Sequence, residues 1–328
     1  MKTRAIAAIT LALICGTGIG IALQRSLGIS ARGITLLRRA GLSNYLPASA
    51  ADLESELGIP ERLQGKLKLY ILMGQSNMVG AAEVPDDIRT SANIFTFGND
   101  YRWKKATEPV DDATGQIDTI SQDKDPGFGP AFTFAKTIVS QDSNQLIGLI
   151  PCARDGSSIT DWQQNLSDKT LYGSCLKRVR AASPMGEVSG ILFFQGEADT
   201  IDPQQFPMLQ PDAEAWAEKF ALFAYSFRQD IGNPNLPLVY AQLGQPQNLE
   251  GLPNWGLVQQ QQESIQIPNG TMIETNDLPM EGLHFTVDSY RVIGQRYAEA
   301  FAGLNTSGAE AIASPLENGE SPPPESAQ

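Results

Sequence analysis

Histidine is almost absent from this chain of 328 residues, and the sole copy is His284. The three cysteines, Cys15, Cys152 and Cys175, form no C-x-x-C pair, so they and the one histidine lack the ligand spacing of a usual zinc set. Neither a metal nor another cofactor is expected. Basic residues are also scarce: 24 Lys and Arg stand against 37 Asp and Glu, a formal net charge of -13. That balance argues against a grip on nucleic-acid phosphates or on anionic lipid headgroups and suits a neutral substrate better. No G-x-x-x-x-G-K-[ST] run exists, and Gly16-Thr17-Gly18 lies in an apolar segment with no strand before it, which excludes a dinucleotide fingerprint. No internal repeat recurs at 20 to 50 residues.

The one long uncharged run lies near the start. Lys2 and Arg4 precede residues 5–23, a stretch of 19 residues without charge, within the roughly 17–25 that span a bilayer. It reads as an export signal or an anchor. The nearest small-x-small site, Ala48-Ser49-Ala50, is too far downstream for ordinary signal cleavage, so an anchor fits slightly better. Cys15 follows Ala12-Leu13-Ile14, without the small residue that lipid attachment uses. Arg25, Arg32, Arg38 and Arg39 outnumber the basic residues before the segment and leave its orientation open. The expectation is an exported or membrane-anchored protein with an extracytoplasmic domain. Residues 24–64 read as a linker, 65–304 as the folded domain, and 305–328, with Pro315 and Pro322 to Pro324, as a disordered tail.

Within the domain the pattern alternates. Largely apolar runs at 67–73, 93–97, 145–151, 188–194 and 236–242 predict strands, several covered on both faces. Helical patterns fall at 129–140, 170–182, 212–230, 255–265 and 287–304. Such alternation implies an α/β fold, a three-layer α/β/α sandwich around a mostly parallel, doubly wound sheet. Sites in these sheets lie beyond the carboxyl ends of strands, where Ser76 follows the first strand.

Four segments carry chemistry-bearing residues. They are Gly74-Gln75-Ser76-Asn77-Met78, then Pro151-Cys152-Ala153-Arg154-Asp155-Gly156-Ser157-Ser158-Ile159 with Trp162, then Phe194-Gln195-Gly196-Glu197-Ala198-Asp199, and finally Glu281-Gly282-Leu283-His284. Singly each has an ordinary reading: serine after a strand is a common helix cap, Gln-Gly-Glu a turn, and Trp162 and Cys152 core. Those readings do not explain four such pieces in one order with the only histidine last. A serine hydroxyl needs a base within hydrogen-bond reach, and the base needs a third group to hold its tautomer. Ser76 and His284 fill the first two roles. The first segment is not the G-x-S-x-G elbow of α/β-hydrolases, because position 78 is methionine.

In this order the segments resemble the blocks of the SGNH/GDSL-type hydrolases, in the branch of the sialate O-acetylesterases and acetylxylan esterases. The resemblance covers residues 66–304. It implies the SGNH-hydrolase, flavodoxin-like version of the sandwich and an acyl transfer to Ser76 with His284 as base. The oxyanion donors it implies are the backbone N–H groups of Ser76 and Gly156 and the side-chain amide of Gln195. The acid three residues before the histidine is usually aspartate; here it is Glu281, with Glu197 a rival and Asp277 a weaker one. Asp155 replaces the first of a glycine pair, and Gln195 stands where the wider superfamily has asparagine.

The expected activity is therefore a serine esterase removing short acyl groups, acetyl above all, from a carbohydrate. Two rivals stand beside it: an O-acyltransferase that discharges acyl-Ser76 onto a glycan at a membrane, and a catalytically inert carbohydrate-binding module on the same fold. Specificity is expected in the polar loops at 98–127 and 203–211. Cys152 and Cys175 are either a disulfide, if the domain is exported, or two buried thiols.

Overall fold

A computed structural model describes residue 59 and residues 61–313. The chain divides into two units, residues 1–61 and 62–328, and the sheet and its helices belong to the second. The segment at 5–23 and the greater part of the linker at 24–64 lie outside the described residues. Among the described residues no helix is long and apolar enough to cross a membrane.

The run Leu-Lys-Leu-Tyr-Ile-Leu-Met-Gly forms β1 (Leu67–Gly74), in which only Lys68 is exposed. Burying side chains such as Leu69, Ile71 and Leu72 contributes about 1.5–3 kcal/mol each, which draws this strand to the middle of the sheet. After α1 (Ser76–Val79) come β2 (Ile94–Phe97), β3 (Trp103–Lys105), α2 (Pro130–Gln141), β4 (Ile147–Pro151), α3 (Leu171–Ala182), β5 (Gly186–Phe194), α4 (Trp216–Ile231) and β6 (Leu238–Ala241). The chain continues through α5 (Trp255–Ser264), β7 (Gly270–Ile273), a hairpin of β8 (Met280–Glu281) and β9 (His284–Phe285), and α6 (Val287–Ala313). The seven-stranded sheet has the order β3-β2-β4-β1-β5-β6-β7, parallel except for the edge strand β3. This is the expected α/β architecture. The five strands β4-β1-β5-β6-β7 keep the flavodoxin-like order 2-1-3-4-5, with β2 and β3 added outside β4.

Alternate residues of the inner strands serve two aromatic layers. Tyr70 meets Phe134 and Phe301, from α2 and α6, at centroid distances of 4.8 and 5.3 Å. On the other face Phe193 packs on Phe220 and Phe223 of α4 at 4.8 and 5.2 Å, and on Trp162 at 6.2 Å. Burial on both faces is what makes β1, β4 and β5 legible as continuous apolar runs. The elements that escaped prediction, α1, β3, β7 and the β8–β9 hairpin, span two to four residues each and are too short to show a period. α6 runs to Ala313, past the expected boundary at 304. Residues 314–328 of the expected tail lie outside the described residues.

Cys152 and Cys175 form a disulfide joining the loop after β4 to α3. Between the two open readings, the structure takes the cystine. Fully buried Arg178, also on α3, binds Asn99, the Pro151 carbonyl, Asp118 at 2.7 Å and Ser121 at 3.1 Å. It thereby holds part of the long 98–127 loop against the end of β4. A closed loop with a sequence separation of 23 restricts the unfolded chain by about 3 kcal/mol. The double substitution Cys152→Ser, Cys175→Ser should therefore lower the unfolding free energy by about 3 kcal/mol in a denaturant titration. A loss below about 0.5 kcal/mol would show that the bond does not act on stability.

Candidate active site

Three neighbouring strands, β4, β1 and β5, deliver three of the four segments to one end of the sheet. Their loops are stitched together by backbone. Gln75 N donates to Phe194 O at 2.8 Å and Arg154 N to Gly74 O at 3.0 Å, while Ser157 Oγ also reaches Gly74 O at 3.2 Å. Gly74 is required here: its φ is 125°, and a Cβ would lie 2.0 Å from the Phe194 carbonyl oxygen. The turn that follows points Ser76 out of the sheet as the first residue of α1, where a backbone N–H has no intrahelical acceptor.

The fourth segment arrives as the β8–β9 hairpin. Gly282, at φ 64°, takes the first central position of a two-residue turn, and Glu281 pairs directly with His284. Behind the turn, Phe285 packs on Phe194 and Tyr290 at centroid distances of 5.7 and 5.9 Å. The result is a contact of 3.0 Å between His284 Nε2 and Ser76 Oγ, across 208 residues of sequence. Burial holds the His284 ring below the ordinary imidazole value of 6.5, and the Asp155 carboxylate opposes that shift. A lowered value keeps the ring neutral and able to accept a proton near pH 7.

The candidate acids fall in different places. Glu281 is exposed, and among the described residues it makes no hydrogen bond or ion pair to the ring. Asp277 is held by both guanidinium nitrogens of Arg296, each at 2.6 Å. Glu197 is buried, accepts from Asn77 Nδ2, and is pushed up to about 7 by burial. None of the three bonds His284 among the described residues. The acid whose charge does act on the ring is Asp155, the residue that replaces a glycine.

Gly156 follows Asp155 in a turn closed by Ser157 N to Arg154 O at 3.3 Å, with Gly156 at φ 64°. The Asp155 N–H is held by Asp123 Oδ1 at 2.8 Å, and Asp123 is itself buried and raised to about 8. The expectation for Gln195 needs correction. Its side chain is fully buried, and Nε2 donates to Asp199 Oδ2 at 2.6 Å and Ser157 O at 3.0 Å, with Gln75 Oε1 at 3.3 Å. Trp216 Nε1, which can only donate, reaches Gln195 Oε1 at 2.9 Å and fixes the orientation of the amide. Both amide hydrogens are thus engaged inside the core, and Gln195 braces the third segment rather than offering a free donor. Two contributions were not anticipated, Asn77 and Asp123. Asn77 lies beside the nucleophile in the first motif, a visible signal; Asp123 sits in a loop without periodicity and gives none.

A family model described as "Carbohydrate esterase, sialic acid-specific acetylesterase" matches residues 66–303. A probable carbohydrate esterase of Arabidopsis thaliana is 26% identical over 256 residues, covering 71% of this chain and 90% of the relative. Among solved structures, an Arabidopsis thaliana protein at 26% identity superposes with a TM-score of 0.61, covering 72% of this chain and 98% of that one. The structure of NanS shares the fold at 16% identity, with a TM-score of 0.56 and coverage of 74% and 99%. A carbohydrate acetylesterase from Xanthomonas citri does so at 20% identity, with a TM-score of 0.53 over 73% of this chain and 57% of that one.

The electrostatics give a pH prediction. The rate should rise with pH through one acid limb whose midpoint lies below 6.5, as the buried ring loses its proton. Asp155 favours the charged ring, so Asp155→Asn should move that midpoint lower still. A pH profile of kcat/KM checks both; an unmoved midpoint in the variant would show that Asp155 does not act on His284.

Proposed function

This chain belongs to the carbohydrate esterase family described as sialic acid-specific acetylesterase, and on that premise we propose that it is a serine esterase that removes O-acetyl groups from a carbohydrate through an acyl-Ser76 intermediate. The observation that carries the reading is the 3.0 Å contact between Ser76 Oγ and the nitrogen of the only histidine. As Oγ forms its bond to the acetyl carbonyl carbon, His284 Nε2 takes the hydroxyl proton. The carbonyl electron pair moves onto oxygen, where the N–H groups of Ser76 and Gly156 meet it, each worth roughly 3–4 kcal/mol of barrier. Collapse breaks the ester C–O bond, and the departing sugar oxygen receives the proton from His284. Water then repeats the sequence on the acyl-enzyme: its proton passes to His284 and on to Ser76 Oγ, releasing acetate. The charge on the ring during each step is favoured by the nearby Asp155 carboxylate.

Two cavities lie among the loops that carry Arg154 and Tyr101, and neither is lined by Ser76 or His284. A cavity of about 350 Å³ is lined by Arg154, Thr160, Asp161, Gln163 and Lys169, and a second of about 440 Å³, which shares Lys169 and Ile120 with it, reaches Tyr101. The Cys152–Cys175 disulfide supports placing the domain in an oxidising, extracytoplasmic compartment.

Acetate release from p-nitrophenyl acetate and from an acetylated sugar, with and without a free sugar acceptor, tests the reading. Free acetate should account for the acetyl lost, and Ser76→Ala or His284→Ala should cut kcat on the order of 10⁴-fold or more. Acetyl recovered only on the acceptor would overturn hydrolysis in favour of transfer. Retained activity in either variant would overturn the mechanism.

A further inference from the structure

The base of this site has no carboxylate on its ring among the described residues, yet the hairpin that carries it is held by a buried side chain. Asn77, the residue after the nucleophile, donates from Nδ2 to the Leu283 carbonyl at 3.1 Å, and Leu283 is the residue before the base. One residue on each side therefore ties Ser76 to His284. The same Nδ2 also donates to Glu197 Oε1, and Asn77 Oδ1 accepts from the Tyr290 hydroxyl at 2.7 Å. Asn77 and Tyr290 are fully buried and Glu197 nearly so. Both hydrogens and the oxygen of the amide are engaged, which leaves it one orientation. Tyr290 stands at the start of α6, whose first turn is itself pinned to the hairpin by Ser289 Oγ to Pro279 O at 2.7 Å.

We propose that Asn77 is the positioning residue of the general base, holding His284 through its backbone rather than through its ring. Glu197 in turn serves as the acceptor that aims the Asn77 amide. Its oxygen is needed and its charge is not. This assigns the carboxylate of the third segment a role other than the orienting acid of a triad. It rests on the reading of Ser76 and His284 as nucleophile and base, but the arrangement of the ring can be measured without turnover. Because the chain has one histidine, its ring resonances need no assignment.

The test pairs kinetics on p-nitrophenyl acetate with an NMR titration of that ring in the full chain. Asn77→Ala should lower kcat by about 100-fold with KM within about twofold, as a displacement of about 1 Å does. Its ring midpoint should rise toward the ordinary imidazole value as the hairpin loosens into water. Glu197→Gln keeps the acceptor oxygen, so it should lower kcat by no more than about tenfold and leave the ring midpoint in place. Tyr290→Phe, which removes only the hydroxyl, should cost about three- to tenfold in kcat and serves if Asn77→Ala unfolds, as judged by circular dichroism. A loss near 10⁴-fold in Glu197→Gln would make the carboxylate an orienting acid and overturn the proposal. So would an unchanged kcat and ring midpoint in both Asn77→Ala and Tyr290→Phe. If wild type is inactive while Asn77→Ala still moves the ring, the tether stands and the esterase reading fails.

Discussion

The site depends on one close approach, that of Gly74 to the backbone of Phe194 where β1 and β5 end side by side. A Cβ there would sit 2.0 Å from the carbonyl oxygen, so no other residue lets the two strand ends meet. From that point Gln75 N binds Phe194 O, and Gln75 Oε1 accepts from the N–H groups of Gly196 and Ala198 at 3.3 and 3.2 Å. The Gly74 carbonyl meanwhile binds the second segment through Arg154 N and Ser157 Oγ. One glycine thus sets the distance among all three sheet-borne segments. The nucleophile inherits its position from backbone geometry rather than from its own contacts.

Around this frame the site is crowded with carboxylates that burial holds above their ordinary range. Glu197 is raised to about 7, Asp123 to about 8 and Asp199 to about 6, in each case chiefly by burial. Each accepts at least one N–H: Asp123 from the Asp155 backbone, Asp199 from Ile159 and Asp212, Glu197 from Asn77. They act as acceptors that fix loops, and bonds of that kind persist when one carboxyl oxygen carries a proton. Asp155 is more exposed than these, although burial raises it as well, and it lies close enough to the ring to favour the ring's charged form. Glu197 Oε2 and Asp123 Oδ2 have no hydrogen-bond partner among the described residues, and a buried carboxyl oxygen left unpaired favours the protonated form, in line with the raised values.

Much of this was legible in the residues alone. β1, β4 and β5 announce themselves because burial on both faces leaves continuous apolar runs, and Ser76 and His284 because a hydroxyl and a lone imidazole need each other. The acid was not legible. An acid at i−3 suggests a shared side, and the two-residue turn at Gly282-Leu283 does pair Glu281 with His284 on one face of the hairpin, yet the Glu281 side chain stays exposed and makes no hydrogen bond to the ring among the described residues. Gln195 misled for a related reason: a motif gives the residue type, whereas Trp216, 21 residues on, decides which way the amide faces. Asp123 acts through a backbone N–H 32 residues away, and sequence spacing carries no trace of such a bond.

The central claim is that Ser76 carries the acyl group during turnover, with the only histidine as its base. Rapid acid quench of the enzyme during hydrolysis of p-nitrophenyl acetate, followed by mass spectrometry of its peptides, addresses it most directly. The expected result is one added acetyl group on the peptide containing Ser76, transient in wild type and absent from Ser76→Ala. Full turnover with no acetylated peptide at any quench time, or with the acetyl group on another residue in both proteins, would contradict it.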